Sequence, residues 1–276
     1  MSVTSSLPEV IMIQILQTTQ IFKLTTGSPE FAYTSVLFAQ DGATFKAKFF
    51  GRGKVDPEKL LDVQYIPPDL TYPTVRPGCS IAASPDKWHI KTPNLMSFDG
   101  GNNLAELILR ELTTCEIIKQ FPHHNLVEFQ GCRVANDRII GLCFKKYAGS
   151  LQDRLNPYSL NKSAFILSQD HVQLRRQASR YMHQIKEGTQ YIHSFNLVHN
   201  DINPANIMLD EKDTPIIIDF DTSCAPGKDL GMAKRTYGWY DPQVNISQIS
   251  NDLGALAELW VWLTGTSPDE FQFGQY

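Results

Sequence analysis

Two stretches in the second half of the chain constrain it most. One is Val198-His199-Asn200-Asp201-Ile202-Asn203-Pro204-Ala205-Asn206-Ile207-Met208-Leu209; the other is Ile216-Ile217-Ile218-Asp219-Phe220-Asp221. Each contains a short apolar run, Ile207–Leu209 in the first and the β-branched Ile216–Ile218 in the second, and Asp210–Asp213 between them reads as a turn. A hairpin through that turn brings Asn206 beside Asp219, 13 residues further on. An amide oxygen and a carboxylate are hard donors that suit Mg²⁺ when phosphates complete its shell. Asp201 lies in the loop that follows a helix, where it can accept a proton from an incoming hydroxyl.

This pattern resembles that of the protein kinase superfamily, whose catalytic loop reads H-R-D-x-x-x-x-N and whose metal loop reads D-F-G. His199, Asp201, Asn206, Asp219 and Phe220 stand at the family's spacing, with Tyr191-Ile192-His193 on the preceding helix. The resemblance extends over most of residues 88–265. Pro122-His123-His124-Asn125-Leu126-Val127 is similar to the segment after the family's regulatory helix. Leu142–Tyr147 looks like the hinge, Gly238-Trp239-Tyr240-Asp241-Pro242 stands where the family has A-P-E, and Asp252 opens the helix beneath the catalytic loop. The wording of Trp88–Leu95, Pro122–Val134 and Gly238–Pro242 is most similar to divergent kinase-like proteins of fungi.

The resemblance implies an α+β, two-lobed fold: a small antiparallel β lobe with one regulatory helix, and a larger, mainly helical lobe. It implies ATP and Mg²⁺ as cofactors and transfer of a phosphoryl group to Ser or Thr of a protein substrate. Asp201 and His199 are then the catalytic residues, His199 propping the loop from below, while Asn206 and Asp219 hold the metal. The family also needs a lysine paired with a glutamate to hold the nucleotide phosphates. Lys91 in Trp88-His89-Ile90-Lys91, 20 residues before Glu111, is preferred to Lys48, 63 residues before it. Glu111 is preferred to Glu106 and Glu116, which leave too much or too little helix before His123. The chain has no G-x-G-x-x-G, and Gly27 alone reads as a turn, so weaker nucleotide affinity is expected.

Four positions depart from the family pattern. Asn200 replaces an arginine that pairs with a phosphorylated loop, and Asn203 replaces a lysine that neutralises the transferring phosphate. Asp221 replaces the glycine of D-F-G, and Gln243 replaces the glutamate of A-P-E. Only 13 residues follow Leu263, so the family's later helices are expected to be missing. The face Leu256, Leu259, Trp260 and Leu263 is then expected to be exposed and to invite a partner chain. Two other readings therefore stay open: a pseudokinase acting as a binding or scaffold module, and a small-molecule kinase of the aminoglycoside or choline type. The segments His123–Val127 and Gly238–Pro242 weigh against the latter.

Composition narrows the remaining classes. Lys plus Arg is 25 against 29 for Asp plus Glu, net −4, which speaks against a strongly basic nucleic-acid binder. The five cysteines are widely spaced with no C-x-x-C, so neither a disulfide framework nor a zinc site is expected, and a reducing, cytoplasmic setting is. No run approaches the roughly 20 apolar residues of a membrane span; Val10–Leu16 is short, broken by Gln14 and a poor signal peptide.

The expected organisation is a β-rich extension with a Pro-rich excursion over 1–87, partly belonging to the smaller lobe, then the smaller lobe with regulatory helix and hinge over 88–147 and a shortened helical lobe over 148–276. Strands are expected at Ile21–Thr26, Tyr33–Ala39, Thr44–Phe50, Trp88–Lys91, Leu126–Gln130, Arg138–Phe144, Asn206–Leu209 and Pro215–Phe220. Helices are expected at Leu104–Phe121, Gln173–Phe195 and Asp252–Leu263, the last with Asp252 as N-cap and Gly265 past its end. The six prolines between residues 51 and 87 predict an irregular excursion.

Overall fold

Antiparallel strands and the two-residue turn Asp41-Gly42 build the first part of the chain. The computed structural model describes residues 13–25, 28–100, 104–168, 172–231 and 234–274, with backbone only at 24 and 172–175. The Gly27 turn and residues 10–12 of the apolar stretch Val10–Leu16 lie outside the described residues. Two compact units emerge: Met1–Tyr72 with Pro93–Ala105, and Pro73–Thr92 with Glu106–Tyr276.

The first unit is an antiparallel sheet in the order β1-β2-β3-β4, formed by β1 (Gln14–Thr25), β2 (Ser28–Gln40), β3 (Ala43–Phe49) and β4 (Leu61–Tyr65). Asp41 and Gly42 join β2 to β3 with φ of 50° and 75°. Two positive values in a two-residue loop match the twist of the flanking strands, and Asp-Gly supplies them cheaply. Val36, Phe38, Ala47 and Phe49 form the unit's small core. Lys46 Nζ donates to the Phe98 carbonyl at 2.6 Å, tying the 93–105 arm to the sheet, with Phe98 fully buried.

The excursion expected over 51–87 is more regular than its prolines predict. β4 occupies the proline-free gap between Pro57 and Pro67. Pro68 opens the short helix α1 (Pro68–Thr71), where its missing N–H would have had no partner anyway.

The second unit contains β5 (His89–Lys91), α2 (Leu104–Gln120, its first turn crossing from the other unit), β6 (Phe129–Ala135) and β7 (Arg138–Phe144). The three strands pair antiparallel as β5-β7-β6. Next come β8 (Gly149–Ser150), α3 (Leu151–Leu155), α4 (Lys162–Leu167) and α5 (Val172–Ser194). The last elements are β9 (Ile207–Leu209), β10 (Pro215–Ile217) and α6 (Ile249–Thr264), with β10, β9 and β8 forming a second small sheet.

The strand expected at Leu126–Gln130 begins only at Phe129. Leu126 and Val127 instead meet β10: Val127 N–H donates to the Ile217 carbonyl, and Ile217 N–H to the Asn125 carbonyl. Beneath them, α5 buries Ala178, Tyr181, Ile185, Thr189 and Ile192, one helical stripe. Gly188 lets this helix come close to β10. A Cβ there would stand 3.0 Å from both Asn125 Cβ and Ile217 Cδ1.

Helix α6 corrects two expectations. It starts at Ile249 after a Gln248 cap that makes no side-chain bond, so Asp252 is not the N-cap but sits in the first turn at zero exposure. Local capping logic misplaces it because its bonds are tertiary. The face of Leu256, Leu259 and Leu263 is not left for a partner chain either. It is buried with Phe165, Phe271 and residues of α5 in one cluster, where Phe165 stacks on Trp262 at 4.3 Å. Only Trp260 of that set remains 44% exposed. No helix among the described residues is long and apolar enough to cross a membrane.

A buried ion pair fastens this region. Lys162 bonds Glu258 and donates to the carbonyls of Gly238 (2.6 Å) and Phe273 (3.1 Å), while lying over the rings of Trp239 and Phe271. Glu258, fully buried, also accepts from the Phe273 N–H at 3.2 Å. Lys162→Met leaves that carboxylate without its cation and is expected to cost about 3–5 kcal/mol in urea denaturation. A Lys162→Met/Glu258→Leu double variant is expected to recover much of the loss, because well-packed apolar replacements rival buried pairs.

Candidate active site

The candidate site forms within the second unit from the loop after α5, the residues that follow β10, Glu111 of α2, Lys91 of β5 and one residue near 236. Its foundation is Asp252. One carboxylate oxygen accepts from His199 N–H (2.9 Å) and lies 2.8 Å from His193 Nε2; the other accepts from Asn200 N–H (2.8 Å). These bonds fix the backbone immediately before Asp201.

Asn200 adopts φ 66°, a left-handed conformation that asparagine tolerates better than most residues. Its amide nitrogen donates to the carbonyls of Val198 (3.1 Å) and Thr222 (3.2 Å) and to Ser247 Oγ (3.1 Å), and its oxygen accepts from Asn251 Nδ2 at 2.9 Å. A neutral amide therefore ties the loop to the segments around 222 and 247 at the position where the family carries an arginine. His199 is fully buried. Its Nδ1 accepts from Asp201 N–H at 3.2 Å, which leaves Nε2–H to donate to the Ile218 carbonyl at 2.9 Å. This is the neutral tautomer.

Asp201 is held on both oxygens. Oδ1 accepts from Thr236 N–H (2.7 Å), and Oδ2 accepts from Asn206 Nδ2 (2.9 Å) and Thr236 Oγ1 (3.0 Å). Burial pushes its carboxyl up to about 6, against the pull of the Thr236 hydrogen bonds. Asn206 also donates to the Asp201 carbonyl at 3.0 Å, so its amide nitrogen serves Asp201 and its carbonyl oxygen points elsewhere. Its backbone carbonyl accepts from Ile218 N–H at 3.0 Å, which keeps Asn206 alongside the strand end that leads to Asp219.

Lys91 gathers the acidic groups. Its ammonium lies 2.7 Å from Glu111, 2.6 Å from Asp219 and 3.5 Å from Asp221. Burial alone would lower the Lys91 pKa, but these three carboxylates outweigh it and raise it. Burial pushes Glu111 up to about 7 despite Lys91, and it raises Asp221 as well. Asp219 is the exception: burial opposes ionisation, but Lys91 wins and holds it below the usual range. Glu111 also accepts from Phe220 N–H at 3.3 Å, and the Phe220 ring is fully buried beside His199.

The structure thus brings Lys91, Glu111 and Asp219 together, and Asp201, His199 and Asn206 together. Lys48, the rival lysine, pairs instead with Asp62 at 2.7 Å on the first unit's sheet. Glu116 accepts from Ser80 N–H and Oγ, and Glu106 is exposed. Two contributors escaped the sequence reading. Thr236, 35 residues beyond Asp201, carries no local signal of its role. Asn203, noted only as a lost lysine, donates to the Asp201 carbonyl and Thr236 Oγ1, both at 3.0 Å.

The donor chemistry fits magnesium. Asn206 and Asp219 offer oxygens only, and among the described residues no group of three or more His, Cys, Asp or Glu could hold a metal by itself. Mg²⁺ typically takes one or two protein oxygens and completes its shell with phosphate and water. For the foundation, Asp252→Ala leaves the buried N–H groups of His199 and Asn200 without an acceptor. It is expected to cost roughly 2–5 kcal/mol by chemical denaturation.

Comparisons with known proteins point to one family. The family model described as the protein kinase domain matches residues 80–260. Mitogen-activated protein kinase kinase kinase 1 of Arabidopsis thaliana is 25% identical over 181 residues, 65% of this chain and 27% of that protein. Mitogen-activated protein kinase kinase kinase 3 of Mus musculus is 30% identical over 158 residues, 53% of this chain and 22% of that protein. CBL-interacting serine/threonine-protein kinase 8 of Arabidopsis thaliana is 33% identical over 87 residues, 30% of this chain and 19% of that protein. The chain spans about a quarter or less of the length of these relatives. With the family model covering well over half of its residues and its strands and helices forming a mixed α+β fold, the chain belongs to the protein kinase family.

Proposed function

We propose that this chain carries out ATP- and Mg²⁺-dependent phosphoryl transfer to serine or threonine hydroxyls of protein substrates. The observation that carries the reading is the separation of two kinds of carboxylate. Asp219 is held ionised by Lys91, as a metal ligand should be, while Asp201 has its carboxyl raised to about 6, where a proton acceptor works best near neutral pH. The relative whose name includes serine/threonine-protein kinase supports the substrate class.

In this reading Lys91, oriented by Glu111, steadies the nucleotide phosphates, and Asn206 and Asp219 hold Mg²⁺. Bound ATP supplies the transferable phosphoryl group. The Asp201 carboxylate takes the proton of the attacking hydroxyl. Thr236 and Asn206 hold that carboxylate at a fixed angle, and His199 and Asp252 hold the backbone behind it. The sheet β5-β7-β6 with α2 serves as the smaller lobe, over residues 88–147. Residues 148–276 serve as the larger one, and residues 1–87 add a β-rich segment. A reducing, cytoplasmic setting belongs to the same proposal, since all five thiols are free.

Three outcomes are expected. Asp201→Asn lowers turnover at least about 100-fold in a phosphate-transfer assay while the ATP-induced thermal shift remains; equal turnover would remove Asp201 from the role of base. The rate falls as pH drops through about 6, because the raised Asp201 carboxyl is protonated below that value and cannot accept a proton. Lys91→Met weakens ATP binding measured by calorimetry whereas Lys48→Met does not, and the reverse result would assign the nucleotide lysine to the first unit.

A further inference from the structure

Asp221 stands where the family's metal loop has glycine, and the structure shows what that carboxylate does. It does not face solvent alone: it approaches the Lys91 ammonium at 3.5 Å, joining Glu111 and Asp219 on the same cation. Three carboxylates thus share one ammonium. The departure at Asn203 acts in the same direction. That residue stands where the family has a lysine, and its neutral amide is engaged by the Asp201 carbonyl and Thr236. Relative to the family pattern, one position has gained a negative charge and another has lost a positive one.

A free nucleoside triphosphate is a polyanion, and its complex with a divalent cation carries about two fewer negative charges. Each added unit of negative charge in a partly buried site therefore penalises the free form more than the complex. This argument rests on the nucleotide reading above. We propose that Asp221, by sharing Lys91, makes the site select the metal complex of the nucleotide and reject the free nucleotide. Asp221 is then a specificity-determining residue for the form in which the nucleotide enters. Its side chain is 36% exposed, so solvent screening discounts the effect, and about tenfold in affinity is the size expected.

The test is equilibrium binding of ATP by calorimetry, with thermal-midpoint shifts alongside, once in EDTA and once with Mg²⁺ in excess. It compares the wild type, Asp221→Asn and Asp221→Gly; the glycine variant guards against a folding defect peculiar to the amide. In the wild type, ATP in EDTA is expected to bind at least 100-fold more weakly than ATP with Mg²⁺. In both variants the metal-free affinity is expected to tighten about tenfold while the affinity with Mg²⁺ changes less than threefold. An unchanged ratio in both variants overturns the proposal. So does loss of binding with Mg²⁺ alone, which would make Asp221 a ligand of the metal. Absence of binding by folded wild type both in EDTA and with Mg²⁺ overturns the nucleotide reading itself, and this proposal with it.

Discussion

A carboxylate with no exposure to solvent needs hydrogen-bond donors in place of water, and Asp252 is the place in this chain where that requirement organises everything around it. Its two oxygens take the N–H groups of His199 and Asn200 and face His193 of α5. Helix α5, helix α6 and the loop that follows α5 are thereby joined at one buried carboxylate. The orientation of Asp201, one residue later, follows from that join. Asn200 extends it outward through Thr222, Ser247 and Asn251, so the segments around residues 222 and 247 are referred to the same point. The resulting order relies on neutral amides and one buried carboxylate rather than on a cation awaiting a phosphate.

Above this foundation the site separates its acids by environment. Asp201 is surrounded by hydrogen-bond donors yet buried enough for its proton affinity to rise. Asp219, less buried, has an ammonium at 2.6 Å and keeps its charge. Glu111 orients the ammonium and also holds the Phe220 backbone. The same few side chains therefore set both the electrostatics and the path of the chain after β10, where Phe220 meets Glu111 of α2.

Much of this was legible in the sequence, for identifiable reasons. Helices α2 and α5 announce themselves through long apolar periodicity, and the intervals linking His199, Asp201, Asn206 and Asp219 are short enough to be read along the chain. What was not legible depended on distant partners. Leu126 and Val127 look like strand residues, but their backbone bonds go to Ile217, so β6 starts later. Asp252 looks like a cap because acids favour helix starts, whereas its bonds run to a loop more than 50 residues away. Helices α3 and α4 span five and six residues, too short to show a period. The apolar face of α6 looked bare because its cover, Phe165 and Phe271, comes from segments with no helical signature of their own.

Asp219 adopts φ 67°, a backbone conformation that few side chains other than glycine, asparagine and aspartate accept cheaply. Aspartate is the one member of that set that is also an anion. Glutamate would keep the charge and strain the turn; asparagine would keep the turn and give up the charge. Asparagine therefore removes the charge at the position where the architecture resists the exchange least, and a single nucleotide change separates the two codons. On the proposed function, activity is surrendered at this position while the surrounding shape is inherited intact, so two chains of the same outline can differ in whether they turn over at all.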